Sequence, residues 1–234
     1  MKTKYPVVTR LAAALAGLAL AATSANAALV QTKVSSATEV AYSADVSNTD
    51  LLTGLTAATT GWNITNGSTT AELIDGIHGV SFAAAGNSVE GTWTTVGATA
   101  IYNLGLGSGG LGWDLTNIQT IAAWVNVGFG NQAYTLDIKL KGAPSYINLT
   151  TVDYQPLALN GIGSTKVTLT DDSGVLASGV EFLRFTANSV NGGQNAGAFV
   201  FRELDVAGTA TVPEPSAVAL LGLGGLALLG RRRR

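Results

Sequence analysis

The 234 residues include 13 basic and 15 acidic side chains, a single histidine and no cysteine. Absence of cysteine excludes disulfide staples, thiolate catalysis and Cys-ligated metals, so the fold must rest on its hydrophobic core. A formal net charge of −2, with the basic residues concentrated at the two ends, leaves no basic patch for nucleic acid.

The chain opens with a basic stretch (Lys2, Lys4, Arg10), an apolar run at Leu11–Ala22 and the small-residue sequence Ala25-Asn26-Ala27. This order reads as a secretory signal peptide over residues 1–27, removed by signal peptidase between Ala27 and Ala28. Its apolar run is too short to span a bilayer. Without the ends, residues 28–212 hold 6 basic and 14 acidic side chains, a net charge of −8. Such a domain is soluble and self-repelling, and charge does not draw it to anionic lipid.

The middle of the chain is rich in Thr, Val, Ile, Gly and Asn and poor in good helix formers, which predicts β-structure. Alternation is clearest at Tyr134–Lys141, where Leu136, Ile138 and Leu140 face one way and Thr135, Asp137, Lys139 and Lys141 the other. Lys166–Thr170 and Glu181–Ala187 repeat it. Ile118–Val127 and Gly197–Val206 are more uniformly apolar and suit strands covered on both faces. Further strands are expected at Val34–Val46, Val80–Ala83, Ser88–Val96, Thr99–Leu104 and Tyr146–Asp153, and a helical turn at Leu51–Leu55. Turn sequences such as Asn66-Gly67, Gly86-Asn87 and Asp171–Gly174 separate them. Eight or more strands with this punctuation predict an all-β fold, a single β-sandwich or jelly roll over residues 28–208. Residues 209–212 read as a linker.

Residues 213–234 are of a different kind. Val212-Pro213-Glu214-Pro215 cannot continue a helix or donate regularly to a sheet, so it stays extended and accessible. Ala217–Leu229 is thirteen residues, all apolar or Gly. As a helix this run spans about 20 Å, short of the roughly 30 Å hydrocarbon core. Arg231, Arg232, Arg233 and Arg234 form a basic stop that favours the cytoplasmic side. The order of tripeptide, short apolar helix and arginine cluster resembles the PEP-CTERM sorting signal. That resemblance implies a Gram-negative bacterium that makes exopolysaccharide. It also implies cleavage near Pro213–Pro215 by an exosortase, a membrane-embedded cysteine transpeptidase-like enzyme, after a transient tether to the inner membrane. The mature protein would then reside at the cell surface or in the extracellular matrix.

A second resemblance lies in the mature region. Leu73-Ile74-Asp75-Gly76, the Trp93 strand, Ile101-Tyr102-Asn103-Leu104-Gly105, Tyr134-Thr135-Leu136-Asp137-Ile138, Val180–Phe185 and Phe201-Arg202-Glu203-Leu204-Asp205-Val206-Ala207-Gly208 follow one another in the order of the discoidin or galactose-binding-like jelly roll. Asn103 stands where that family usually has Asp, and Gly142-Ala143-Pro144 replaces its Asp-Gly-Trp turn. The resemblance implies carbohydrate binding and a structural calcium between the early loop and the last strand, with Asp75 and Glu203 as the pair in position. Asp45, Asp50, Asp171 and Asp172 also lie in turns that suit either oxygen ligation or Asx-turns.

Among the aromatic residues, Trp113 in the glycine-rich loop and Trp62 beside Asn63 and Asn66 are the expected sugar-stacking platforms, with Trp124 buried. Gly105-Leu106-Gly107-Ser108-Gly109-Gly110 fits G-x-G-x-x-G, but Leu111-Gly112-Trp113-Asp114 is not the helix start that a dinucleotide site requires. His78 reads as a loop residue after the Asp75-Gly76 turn, and no G-x-S-x-G elbow accompanies it. The expectation is therefore a non-catalytic exported surface or matrix protein with no cofactor beyond calcium, possessing a carbohydrate-binding jelly roll. A polysaccharide hydrolase with carboxylates at one rim, and a purely structural matrix protein, are the alternatives.

Overall fold

The computed structural model describes residues 28–63, 69–81, 91–125, 128–159, 161–191 and 197–213. The expected signal helix and C-terminal apolar helix lie outside these residues. The described strands are β1 (Leu29–Ser36), β2 (Ala58–Asn63), β3 (Thr92–Asn103), β4 (Trp113–Trp124), β5 (Gln132–Leu140), β6 (Ile147–Tyr154), β7 (Gly163–Asp171), β8 (Ala177–Ala187) and β9 (Val200–Ala210). A 3-10 turn at Thr70–Leu73 is closed by a capping box between Thr69 and Glu72.

All strand pairings are antiparallel and form two layers, β1-β7-β4-β9 and β2-β3-β8-β5-β6. The layers are stitched together at two places. Thr92 of β3 pairs with Phe201 of β9, and Trp113 of β4 pairs with Val180 of β8. The third corner is closed by side chains. Gln31 of β1 donates to Thr150 Oγ1 (2.8 Å) and Thr151 O (3.1 Å), and Lys33 donates to Asp153 O (3.0 Å), all on β6.

The core follows the alternation in the sequence. Leu115, Ile118, Val167, Leu169, Phe201, Leu204 and Val206 from the first layer meet Tyr102, Tyr134, Leu136, Leu183 and Phe185 from the second, all buried. Tyr134 packs its ring 5.8 Å from Phe185 and 5.7 Å from Phe201. Each such side chain contributes about 2–3 kcal/mol by leaving water. Thr120 donates to Gln132 Oε1 and Gln132 donates to Thr165, which satisfies these polar groups, whereas the buried Tyr102 hydroxyl has no partner.

Several elements differ from expectation. The strands expected at Ser88–Val96 and Thr99–Leu104 are, over their described residues, one strand, β3, in which Gly97 at φ +82° absorbs an irregularity; residues 88–90 lie outside the described residues. Opposite it, β2 shifts register between Thr60 and Trp62, at Gly61. β1 ends at Ser36, and residues 37–57 leave it to run over the outer face of the β1-β7-β4-β9 layer; Leu51 N–H donates to Val206 O there. Val80 lies in irregular backbone. Asp137, expected outward, is only 7% exposed because Arg184 covers it with a 2.8 Å ion pair. β9 runs to Ala210, so residues 209 and 210 of the expected linker are part of the sheet.

The strand directions define two poles. At one, the terminal pole, lie the start of β1, the end of β9 and the β3–β4, β5–β6 and β7–β8 turns. The β2–β3, β4–β5, β6–β7 and β8–β9 connections form the other, the loop pole.

Candidate functional site

β9 is buried on both faces from Val200 to Val206, although its sequence alternates apolar and charged residues. The inner side faces the second layer. The outer side is covered by residues 37–57 and 69–81. A bulge opposite Ile121 and Ala122 places Arg202 and Glu203 in succession under this cover. Three ionisable side chains, Arg202, Glu203 and Asp205, thus lie in a row on the outer face, at 0%, 0% and 7% exposure.

Arg202 marks the loop-pole end of the row. Its guanidinium forms an ion pair with the buried Glu39, and its Nε donates to Ala123 O at 3.3 Å. It also lies 5.7 Å from the Trp124 ring. His78 lies near Arg202, 2% exposed, and both ring nitrogens are buried without a side-chain partner. Burial and the Arg202 charge push its pKa down to about 4, so the imidazole is neutral. The expected loop histidine is therefore a buried residue: the Asp75-Gly76 turn folds it inward.

Next to Arg202, a small apolar cluster carries the aromatic residues of the loop pole. Phe129, Ala198 and Val200 are its buried centre, and the half-buried Trp93 and Trp124 pack against it. The rings of Trp93 and Phe129 are 4.8 Å apart. Trp124, expected in the core, stands at the end of β4 and keeps part of its surface in water.

The two tryptophans expected as platforms occupy different roles. Trp62 Nε1 donates to Thr99 O at 2.7 Å, and its ring stacks 6.2 Å from Phe201. Trp113 opens β4 rather than lying in a loop, and its Nε1 donates to Leu104 O at 2.9 Å. Both are partly buried and pack against the main core. Trp93 carried no distinguishing signal in the sequence; only the pairing of its strand with Val200 shows it on this rim.

Asp75 and Glu203 do come together. Gly76 N–H donates to Glu203 Oε1 at 3.4 Å, while Glu203 Oε2 is buried without a partner. The turn depends on Gly76. It sits at φ +75°, and a Cβ there would stand 2.7 Å from Asn48 Cα. Burial, with Asp205, Asp75 and Asp50 nearby, pushes the Glu203 pKa up to about 9. Burial likewise raises Asp205 to about 6, against the Ser47 N–H bond that favours its charged form. Asp50 accepts from Leu52 N–H at 2.6 Å and Thr53 Oγ1 at 3.1 Å. A depression of about 370 Å³ opens beside this cluster, lined by Asp45, Asp50, Asn117, Gln119 and Asp205.

The unpartnered Glu203 oxygen among carboxylates is the kind of site that a hard divalent cation fits, with backbone carbonyls completing the oxygen shell. Among the described residues no group of three or more His, Asp or Glu side chains is arranged to hold a metal alone, so the carbonyls would be essential. Two of the other turn carboxylates have partners within the fold. Asp171 caps its own turn through Ser173, and Asp45 forms an ion pair with Lys166 at 2.6 Å.

At the terminal pole Val212 is 71% exposed and Pro213 follows it in the open. Glu214, Pro215 and Arg231–Arg234 lie outside the described residues, as do Ala25 and Ala27; Ala28 is exposed ahead of β1.

Residues 211–234 match the PEP-CTERM protein-sorting motif.

The PEP-CTERM tail implies export to the cell surface and an exosortase as partner. Among the described residues no helix is long and apolar enough to cross a membrane. No curated protein matches the chain in sequence. Among solved structures, it is similar to CBM32-3 from a family 31 glycoside hydrolase of Clostridium perfringens. Identity is 15% and the TM-score 0.46, over 66% of this chain and 91% of that one. It is also similar to the family 32 CBM of C. perfringens NanJ in complex with galactose, at 16% identity and TM-score 0.41, over 65% and 92% of the two chains. A Streptococcus pneumoniae fucose binding module aligns at 9% identity and TM-score 0.42, over 68% and 94%.

Proposed function

We propose that the chain is an exported surface or matrix protein of a Gram-negative bacterium, released from a transient inner-membrane tether when exosortase cuts at Pro213–Pro215. Its sandwich binds carbohydrate without catalysis, at the loop pole, on the producing cell's own exopolysaccharide. The observation that supports the binding role is the half-buried pair Trp93 and Trp124, held by Phe129 and flanked by the Arg202–Glu39 ion pair. Aromatic faces take the C–H faces of sugars, and a rigid base keeps the ordering cost of binding low. Signal peptidase removes residues 1–27 on this reading.

A calcium ion at Glu203 and Asp75 would brace the cover over the outer face. Glu203 and the carbonyls of the 45–53 and 75–78 segments would hold it, and it would supply charge compensation rather than chemistry.

A hydrolase reading has one feature to recommend it, the carboxylate-lined depression. The bonding there favours the non-catalytic role. Asp205 uses one oxygen for Ser47 N–H and the other for Gln119 Nε2, and Asp50 is tied to Leu52 and Thr53. These carboxyls are engaged in holding a loop to a sheet and are not presented to a substrate.

Two measurements test the proposal together. Intact mass of the protein from producing cells should end near Pro213–Pro215, whereas a Pro213→Ala/Glu214→Ala/Pro215→Ala variant should stay full length in the inner membrane. The mature protein should be retained on the producer's polysaccharide, and Trp93→Ala with Trp124→Ala should reduce retention at least tenfold, the loss of about 1.4 kcal/mol or more. A wild-type mass that still includes the four arginines, or retention unchanged by the two substitutions, would refute the respective half.

A further inference from the structure

Both ends of the sandwich emerge at the same pole. Leu29, the first residue of β1, pairs with Asp171 at the end of β7, and Ala210, the last of β9, pairs with Trp113 at the start of β4. Ile118 of β4 pairs with Leu169 of β7, which puts both ends at the same pole, with the end of β9 reaching further out than the start of β1. Ala28 and Val212 are therefore close to one rim.

The root of the tail is clasped there. Thr211 N–H donates to Gly112 O at 2.9 Å, its hydroxyl donates to Asp114 Oδ1 at 2.6 Å and accepts from Gly179 N–H at 3.2 Å. The glycine-rich loop lies against the same two residues. A Cβ on Gly107 would stand 3.0 Å from Ala210 Cβ, and one on Gly109 would stand 2.5 Å from Thr211 O. This accounts for Gly107 and Gly109, where side chains would collide with the departing strand, whereas Gly105 and Gly110 face open space and serve the turn through positive φ. Only Val212 then separates the clasp from Pro213. Five residues, 212–216, separate the clasp from the apolar run; at about 3.3 Å per extended residue they reach at most about 17 Å, which keeps this pole next to whatever holds that run.

We propose that the terminal pole is a membrane-facing surface: while residues 217–234 hold the chain, the clasp seats this pole on a phospholipid bilayer and turns the loop pole, with Trp93 and Trp124, away from it. The inference rests on the reading of that segment as a membrane tether. Leu106, Val175 and Ile147, exposed at 38%, 37% and 51%, suit the boundary between headgroups and acyl chains. The loop pole exposes Leu159 and Ile162 comparably, so exposure does not choose between the poles; the position of the chain ends does. The acidic domain has no charge attraction to anionic lipid, which leaves the clasp to set the orientation.

A chain without cysteine allows a single introduced thiol to report one place. The tail-bearing chain is reconstituted in vesicles of phosphatidylethanolamine and phosphatidylglycerol containing nitroxide-labelled lipid. A fluorophore is attached through Ser108→Cys or Val175→Cys at the terminal pole, or Leu159→Cys at the loop pole. Quenching should be several-fold stronger at the terminal pole. A Gly/Ser spacer of about ten residues between Val212 and Pro213, with a span of about 17 Å, should abolish the difference while the protein still sediments with the vesicles. Equal quenching at both poles, or a difference that survives the spacer, overturns the proposal and leaves the tether intact. Failure to sediment at all overturns the tether reading, and the orientation with it.

Discussion

At Glu203 burial and the neighbouring carboxylates act in the same direction. The group ionises near 4.5 when unfolded and near 9 when folded, so at neutral pH the fold holds it protonated. Its contribution to stability is fully present below about pH 4.5 and is lost as pH rises toward 9, because the unfolded chain releases the proton first. Glu203→Gln keeps the neutral form and removes that loss. In chelator, the variant should exceed wild type by about 1–3 kcal/mol at pH 8 and match it near pH 4. Denaturant melts at the two pH values measure this. Calcium should reverse the order at pH 8 by binding the ionised wild-type carboxylate. A calcium-induced shift of equal size in both proteins would remove Glu203 from the cation site. Of this arrangement, the sequence carried the pair Asp75 and Glu203 through motif order. It offered Asp50 as one of several turn carboxylates, but it did not carry Asp205 or the burial of His78, because those depend on residues 37–57 folding over the outer face, and nothing local encodes that path.

At the level of elements, the strands that alternate cleanly were readable and the others were not. β5 and β8 set an apolar residue at every second position, and both formed where the pattern placed them. β2 reads Ala58-Thr59-Thr60-Gly61-Trp62-Asn63, with one large apolar residue, and is a strand because it borrows the edge of β3. The same borrowing explains Trp62. A tryptophan near two asparagines looks like a surface platform until its strand is paired and its indole N–H finds Thr99. Trp62→Ala and Trp113→Ala should therefore lower Tm by about 5–15 °C, the equivalent of about 2–4 kcal/mol each. Trp93→Ala and Trp124→Ala should cost binding before stability. Calorimetry of the four variants beside polysaccharide retention separates the pairs, and a reversed pattern would move the candidate site to the opposite rim.

Across the whole molecule, two layers are stitched at β3–β9 and β4–β8, and the remaining gap lies between β1 and β6. There the side chains of Gln31 and Lys33 occupy carbonyls of Thr151 and Asp153. A strand edge left open would offer those carbonyls to the next molecule. A protein delivered to a crowded surface meets its own copies at high density, and an open edge invites them to polymerise. Gln31 and Lys33 are placed to keep these carbonyls from pairing with another molecule. Gln31→Ala with Lys33→Ala should fold with little loss of stability, about 1 kcal/mol. It should nevertheless scatter light and bind amyloid dyes at concentrations where wild type does neither. The two side chains would then matter less to the single molecule than to keeping a dense layer of them from becoming a solid.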